Sequence, residues 1–150
     1  MLNSDYKDIL QSLSSEEAEF ILVGAYALAV HGFPRATMDI DIWVNPRSSN
    51  AEKVYTALGK FGAPMGQISV ADLSKDDTIF QIGVAPRRID ILTRISGVNF
   101  EEAWKDAIKV DIDGITLNIL SANHLIKNKL ATGRAKDIDD AENLRKHLKQ

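Results

Sequence analysis

The sequence predicts an α+β fold, a mixed sheet flanked by helices with further helices at the C-terminus. Three observations support this prediction. The apolar run FILVG, residues 20–24, ends in glycine and continues into the alanine-rich AYALAVHG, which predicts a strand, a turn and a helix. Two further pairs of strand-like segments are joined by short turns, which excludes a purely parallel sheet. Two helical stretches, 122–132 and 136–149, end the chain on either side of Gly133.

Capping residues and apolar periodicity predict the other helices. They lie over residues 5–13, 48–61 and 100–108, with a further helix start at 14–17. The run SSEE at 14–17 combines serines with acidic residues, the pattern of a helix N-terminus. Gly62 ends the second of these helices, and Asn99 supplies an N-cap to the third.

The remaining strands are predicted over residues 39–45, 78–84 and 87–95 and within 108–120. The segment DIDIWVN alternates at period two until Asn45–Pro46 stops it. The second and third segments predict a hairpin around Ala85–Pro86, and the last predicts a hairpin that turns at Asp113–Gly114.

Length and composition limit the class of protein. The 150 residues suit one domain spanning 1–150, with no linker or repeat inside it. With 18 basic and 21 acidic residues the net charge is -3, which argues against a surface built to coat nucleic acid. The absence of cysteine excludes disulfides and thiolate metal sites. The longest apolar run is too short to span a bilayer, so we expect a soluble, cytoplasmic protein without a membrane partner.

Three aspartates are the candidate chemical groups. Asp39 and Asp41 are two apart on a predicted strand and therefore share one face, while Asp90 is embedded among apolar residues in RRIDILT. If the two strands are neighbours, three carboxylates meet, an arrangement that a divalent ion such as Mg²⁺ stabilises. The alternative is a half-exposed strand whose acids face water. Asp111-Ile-Asp113 has the same spacing, but its second acid is explained by the Asp-Gly turn.

The turn at Gly24 is the candidate phosphate site, because glycine lets the backbone approach a ligand and the following amides point at an anion. The alternative is a simple turn glycine. Between this turn and the acids, Arg35 and Thr37 either contact a phosphate or belong to an ordinary loop; the sequence leaves both options open.

These residues resemble the signature of the DNA polymerase beta superfamily of nucleotidyltransferases. Val23-Gly24, the strand Asp39-Ile40-Asp41 and a later acid at Asp90 match that signature, whereas Ala25 stands where the superfamily has glycine or serine. The stretches GFPRATMDIDIWV, RRIDILTRISGVNFEEAW and LIKNKLATGRAKDIDD are more specifically similar to small bacterial nucleotidyltransferases related to abortive-infection toxins. The resemblance covers most of residues 20–144 and implies a polymerase-beta-like nucleotidyltransferase fold.

The resemblance also implies roles for individual residues. Asp39, Asp41 and Asp90 would bind Mg²⁺ or Mn²⁺, and the turn at Gly24 and Ala25 would bind phosphate. The resemblance further implies a mixed-charge cluster near the site, made of Lys129, Arg134 and Asp137. Helical periodicity supports part of this, because Lys129 and Asp137 fall on faces expected to pack inward, where charges need partners or a ligand. The alternative is a structural bridge between Asp137 and Arg134, with Lys129 extending to solvent.

The first functional hypothesis is a Mg²⁺-dependent enzyme that transfers a nucleoside monophosphate from a nucleoside triphosphate to an acceptor hydroxyl and releases pyrophosphate. The acceptor would be RNA such as tRNA, a protein or a small molecule. The second is an inactive nucleotide-binding module or a toxin–antitoxin component that acts by binding, with a cognate antitoxin as partner; Ala25 favours it. A phosphohydrolase using the same acids is a third, weaker alternative.

Overall fold

The computed structural model describes residues 2–35 and 38–149 and confirms the predicted mixed sheet flanked by helices. The six strands are β1 Phe20–Val23, β2 Ile40–Val44, β3 Ile79–Ile82, β4 Ile89–Leu92, β5 Ile108–Ile112 and β6 Ile115–Ile119. The helices are α1 Ser4–Ser15, α2 Gly24–Val30, α3 Ser48–Phe61, α4 Val70–Leu73, α5 Phe100–Asp106, α6 Ala122–Thr132 and α7 Ala135–Leu148, with a short 3-10 turn at Met65–Gln67.

The strand order is β3-β4-β2-β1-β6-β5. Both predicted hairpins form, since β3 pairs antiparallel with β4 and β5 pairs antiparallel with β6. The three inner contacts are of both kinds: β1 runs antiparallel to β2, while β1 with β6 and β2 with β4 are parallel. The parallel pairing of β2 with β4 matters most for function, because it brings two distant segments of the chain side by side.

The centre of the sheet is apolar because, apart from Asp41 and Asp90, its strands β1, β2 and β4 consist of β-branched, aromatic and leucine residues. All four residues of β1 are buried, and Ile40 and Ile42 of β2 have no exposed surface. Residues on the other face of β2 include Trp43, which is 2 % exposed and stacks edge-on against Phe100 at a centroid distance of 5.0 Å. Packing on both faces fixes the register of β2, which determines where its aspartates project.

One helix boundary was predicted wrongly. The run SSEE at 14–17 does not start a helix; it contains the last turn of α1, whose backbone leaves the helix at Glu17 with φ 57°. Acids at this position are locally unfavourable for a helix C-terminus, but the apolar residues of α1 pack into the core and outweigh that preference. The sequence also gave no signal for α4, a single turn held by a capping box between Ser69 and Asp72. Among the described residues, no helix is long and apolar enough to cross a bilayer.

Candidate active site

The pairing of β2 with β4 brings the three aspartates together. Asp41 lies directly opposite Asp90 in the parallel register, and Asp39 precedes β2 on the same face as Asp41. We call Asp39, Asp41 and Asp90 the acid cluster. Asp90 is 6 % exposed, so the cluster is partly removed from water.

Arg88 is the cation of the acid cluster. Its guanidinium binds Asp90 with two hydrogen bonds, from Nε to Oδ1 at 2.7 Å and from Nη2 to Oδ2 at 3.1 Å. Nη2 also lies 3.6 Å from Oδ2 of Asp39, and the backbone N–H of Arg88 donates to Oδ1 of Asp39 at 3.0 Å. Every oxygen of these two carboxylates therefore contacts Arg88. The hydrogen bond with Asp90 and the charge of that carboxylate raise the pKa of Arg88, so its guanidinium stays protonated at every pH at which the protein is folded.

Among the three acids, Asp41 has a strongly raised pKa. Burial is the largest cause that raises its pKa to about 7, followed by the charge of Asp90, a hydrogen bond with Asp90 and the charge of Asp39. Arg88 opposes this shift only in part. Near neutral pH Asp41 is therefore only partly ionised, and the cluster still holds more negative charge than one guanidinium compensates.

Tyr6 of α1 joins the two strands next to the acids. Its hydroxyl donates to the backbone oxygens of Met38, at 3.0 Å, and Arg88, at 3.2 Å. Burial, with contributions from Tyr26 and Asp39, raises the pKa of Tyr6 to about 12, so the hydroxyl remains a donor at neutral pH. These two contacts connect Met38, which precedes Asp39, with Arg88, which binds Asp39.

Gly24 allows Asp41 to lie against the turn. Its φ is +64°, and a Cβ at this position would come within 2.1 Å of Oδ2 of Asp41. Any side chain here would displace the carboxylate, so the match between a positive-φ glycine and an aspartate on the adjacent strand is a steric requirement. Gly24 begins α2, and Ala25 follows it in the first turn.

A cleft of about 440 Å³ opens next to Asp41 and Asp90. This volume lies in the range of small-molecule sites. The predicted residues that line it are Gly24, Ala25, Asp41, Asp90, Lys129, Arg134 and Asp137. Asp39 is not a lining residue and joins the site through Arg88. The structure thus places residues from α2, β2, β4, α6 and α7 around one space.

On the helical side of the cleft, polar and charged side chains of α6, α7 and the residue before α7 form a second group. This helix cluster consists of Lys129, Thr132, Arg134, Asp137 and Asp140. Asp137 is its centre and accepts from Nζ of Lys129 at 3.1 Å, from the Thr132 hydroxyl at 2.7 Å and from Nε of Arg134 at 2.8 Å. Lys129 also contacts Asp140 at 3.2 Å. Burial favours the neutral acid, but the hydrogen bonds from Thr132 and Lys129, with the charges around them, outweigh it and lower the pKa of Asp137.

The two remaining predicted residues have different locations. Arg35 forms two hydrogen bonds with Asp140, at 3.0 and 3.1 Å, and lines a separate, more apolar groove with Tyr26 and Met38. It therefore touches the helix cluster from outside the cleft. Thr37 lies outside the described residues.

Sequence reasoning missed several polar residues of the site. Arg88 was the most important, and its signal was available, because it precedes Asp90 by two positions on a strand and so shares its face. Gln81, opposite Asp90 on β3, could be found only from the strand register. Arg94 and Asn128 also line the cleft, and neither has a sequence pattern that indicates it.

The donor set suits a hard divalent cation, although the carboxylates are paired with Arg88. Within residues 2–35 and 38–149, no group of three or more metal-ligating side chains is already arranged to hold a metal ion. The site nevertheless has oxygen donors of the kind that such an ion prefers: Asp41 and Asp90 lie opposite one another, and a cation already contacts Asp39 and Asp90. Burial, followed by the neighbouring carboxylates, raises the pKa of Asp41. Asp39, Asp41 and Asp90 are the side chains that could hold Mg²⁺ or Mn²⁺.

The fold and this arrangement define a nucleotidyltransferase-like protein. The family model described as "Nucleotidyltransferase of unknown function (DUF6036)" matches residues 2–147, and the chain belongs to this family. Among solved structures, TM1012 of Thermotoga maritima, a candidate nucleotidyltransferase, is similar with a TM-score of 0.56 and 17% sequence identity. The alignment covers 99% of this chain and 96% of that one, and it supports the fold. No curated protein matches the sequence.

Proposed function

We propose that the protein transfers a nucleoside monophosphate from a nucleoside triphosphate to an acceptor hydroxyl, with release of pyrophosphate. The observation that carries the proposal is the register of β2 and β4, which sets Asp41 opposite Asp90 on the wall of a cleft that also contains Lys129 and Arg134. Carboxylates on one side and cations on the other suit a triphosphate bound through a divalent ion.

The acid cluster is the metal-binding part of the proposal. Asp39, Asp41 and Asp90 would hold Mg²⁺, or Mn²⁺ in its place, and the bound ions would offset the charge on the entering and leaving oxygens at the α-phosphorus. In the reaction the acceptor oxygen forms a bond to that phosphorus while the bond to pyrophosphate breaks. Asp90 would orient the attacking hydroxyl and take up its proton.

The phosphate contacts are proposed for the opposite wall. Arg134 is 76% exposed in its side chain, so it can turn toward a phosphate without leaving a buried position. Lys129 is fixed by Asp137 and Asp140 and would act as a positioned charge. The backbone at Gly24 and Ala25 adds amide donors close to Asp41, where bulk at residue 24 is excluded.

The test is transfer of label. The purified protein is incubated with each α-labelled nucleoside triphosphate, Mg²⁺ or Mn²⁺ and a cell extract, and the labelled molecule is identified. We expect wild-type protein to label an acceptor, tRNA and protein being the first to examine. Asp90→Asn should lose about a thousandfold or more of the rate, the scale of removing a group that holds a catalytic ion. Asp111→Asn, the same change on exposed β5, should retain full activity.

Wild-type protein that neither binds a nucleotide in the presence of metal nor labels any acceptor would refute the proposal. Circular dichroism of each variant separates loss of chemistry from loss of fold. The nucleotide and acceptor that the assay identifies would also show whether the chain acts like the abortive-infection toxins, in which case a cognate antitoxin is the expected protein partner.

Two observations favour a second candidate, a nucleotide-binding module without transferase activity. Ala25 stands at a position where a hydroxyl or glycine is expected, and Arg88 is paired with two of the three carboxylates. Calorimetry with a nucleoside triphosphate and Mg²⁺ distinguishes this candidate: binding without transfer to any acceptor would support the module.

A further inference from the structure

We propose that Arg88 occupies the cation position of the acid cluster, and that a divalent metal ion binds only by displacing its guanidinium from Asp90. Arg88 thereby sets the metal affinity of the site. The proposal rests on the proposed function, since it takes the three carboxylates as metal ligands.

The first argument is that Arg88 already uses the ligand atoms. Both oxygens of Asp90 accept from its guanidinium, at 2.7 and 3.1 Å, and Nη2 lies 3.6 Å from Oδ2 of Asp39. A metal ion bound to the same oxygens would lie next to a fixed positive charge. In a site where Asp90 is 6 % exposed, water screens that repulsion poorly. The two cations therefore exclude one another.

The second argument is that Arg88 is able to leave. Its side chain is 31% exposed, and the turn before it, residues 83–87, is exposed at every position. The backbone contact from Arg88 to Asp39 does not involve the guanidinium, so Asp39 stays in place when the side chain moves. The movement needed is a rotation of one side chain toward solvent, with the strands unchanged.

The third argument concerns charge. Three carboxylates share a single guanidinium, which contacts Asp90 and Asp39, so the cluster is under-neutralised. A dication supplies more charge than Arg88 does, so the exchange is favourable when metal is abundant. When metal is scarce, Arg88 prevents full repulsion among the acids and keeps them in position.

The test is Mn²⁺ titration by calorimetry on the intact, metal-stripped protein. Arg88→Gln removes the competing charge, and we expect it to bind Mn²⁺ about tenfold or more tightly than wild type, the factor that one charged hydrogen bond is worth. Arg87→Gln is the matched control: it removes the same charge from the adjacent, exposed residue and should bind Mn²⁺ as wild type does.

The outcomes separate this proposal from the proposed function. Equal or weaker Mn²⁺ binding by Arg88→Gln would overturn the displacement and indicate that Arg88 positions Asp90 for the metal, with the metal site itself intact. Absence of Mn²⁺ binding in both proteins would overturn the metal site and the displacement together.

A second measurement on wild-type protein covers the case in which Arg88→Gln does not fold. In side-chain NMR, the Nε–H of Arg88 should be protected from solvent exchange in metal-free buffer, because it donates to Asp90. Addition of Mg²⁺ should remove this protection. The backbone N–H of Arg88, which donates to Asp39 independently of the guanidinium, is the internal reference and should stay protected. An Arg88 signal that stays protected at saturating Mg²⁺ would refute the displacement.

Discussion

The cleft is bounded by two clusters of charged side chains that differ in how completely they neutralise themselves. In the acid cluster, three carboxylates share one guanidinium, and the pKa of Asp41 is raised to about 7. In the helix cluster, two carboxylates share the charges of Lys129, Arg134 and Arg35, and the pKa of Asp137 is lowered. Both clusters are partly buried, so burial alone does not account for the opposite shifts.

The difference lies in the balance of charge within each cluster. The helix cluster is neutralised by its own side chains and stabilises the packing of α6 against α7, while its Arg134 remains 76% exposed at the cleft. In the acid cluster the carboxylates are held close together despite their repulsion, because apolar packing fixes the register of β2 and β4. Strain of this kind is typical of sites that bind something, whereas a balanced network is typical of structural contacts. The two can be separated by mutation.

The largest effect is expected from Asp137→Ala. Removing the centre of the helix cluster leaves Lys129, Thr132 and Arg134 without their shared acceptor, and we expect the free energy of unfolding at pH 7 to fall by about 3 kcal/mol. The pKa of Asp137 in the folded protein is lowered from its ordinary 3.8. The stabilisation that ionised Asp137 provides is therefore present above pH 3.8 and is lost as the pH falls through the lowered pKa of the folded protein. The measurement is urea unfolding from pH 3 to 7. Asp139→Ala, an exposed acid on the same helix, is the control, and an equal loss in both would contradict the structural role.

Asp41→Asn should have the opposite pH dependence in metal-free buffer. The folded pKa of Asp41, about 7, exceeds its ordinary 3.8, so its favourable contribution is complete below about pH 4 and is lost as pH rises to 7. As pH rises from 5 to 8, the free energy of unfolding of wild type should therefore fall by about 2 kcal/mol relative to that of Asp41→Asn. One proton that only the folded state retains is worth about 1.4 kcal/mol per pH unit, and screening by solvent reduces the total. If the free energies of unfolding of the two proteins changed with pH in the same way, the raised pKa of Asp41 would be contradicted.

Gly24→Ala tests whether steric fit holds the acid cluster against the turn. The positive φ costs about 1–2 kcal/mol for any residue with a Cβ, and the added carbon would also meet Asp41. Gly133→Ala is a matched control, since Gly133 has φ +71° and open space around its Cβ position. We expect Gly24→Ala to be about 1 kcal/mol more destabilising than Gly133→Ala. Most of the excess should disappear when Asp41 is also changed to alanine, which removes the carboxylate but keeps the Cβ at 3.3 Å. Equal losses would show that the carboxylate adapts without cost.

Much of the fold could be predicted because its turns contain residues that favour particular backbone conformations. Asp113–Gly114 has positive φ at both residues, as the tight hairpin requires, and Gly62 ends α3 in the left-handed conformation. Alternation in β2 gave the correct faces. The region after α3 was not predicted, because the 3-10 turn and α4 are too short to have periodicity of their own.

The site was less predictable than the fold for a physical reason. Same-strand relationships, such as that of Asp39 with Asp41, follow from a period of two, and Arg88 with Asp90 could have been read in the same way. Contacts across strands and helices depend on register and packing, which a single sequence does not give. Gln81 opposite Asp90 and Thr132 beneath Asp137 belong to this second kind.

The smallest effect is expected from Asp111→Asn, which compares two identical spacings. Asp111 and Asp39 each precede an isoleucine and a second aspartate, but Asp111 is exposed on edge strand β5, where it lies opposite Thr116. We expect Asp111→Asn to change the free energy of unfolding by less than about 0.5 kcal/mol and to leave Mn²⁺ affinity at the wild-type value. Asp39→Asn, the same chemical change, should weaken Mn²⁺ binding by about tenfold or more, because it removes one charged ligand. Equal Mn²⁺ affinities of Asp39→Asn and Asp111→Asn in calorimetry would contradict this prediction. They would show that the pairing of β2 with β4 does not give Asp39 a role that Asp111 lacks.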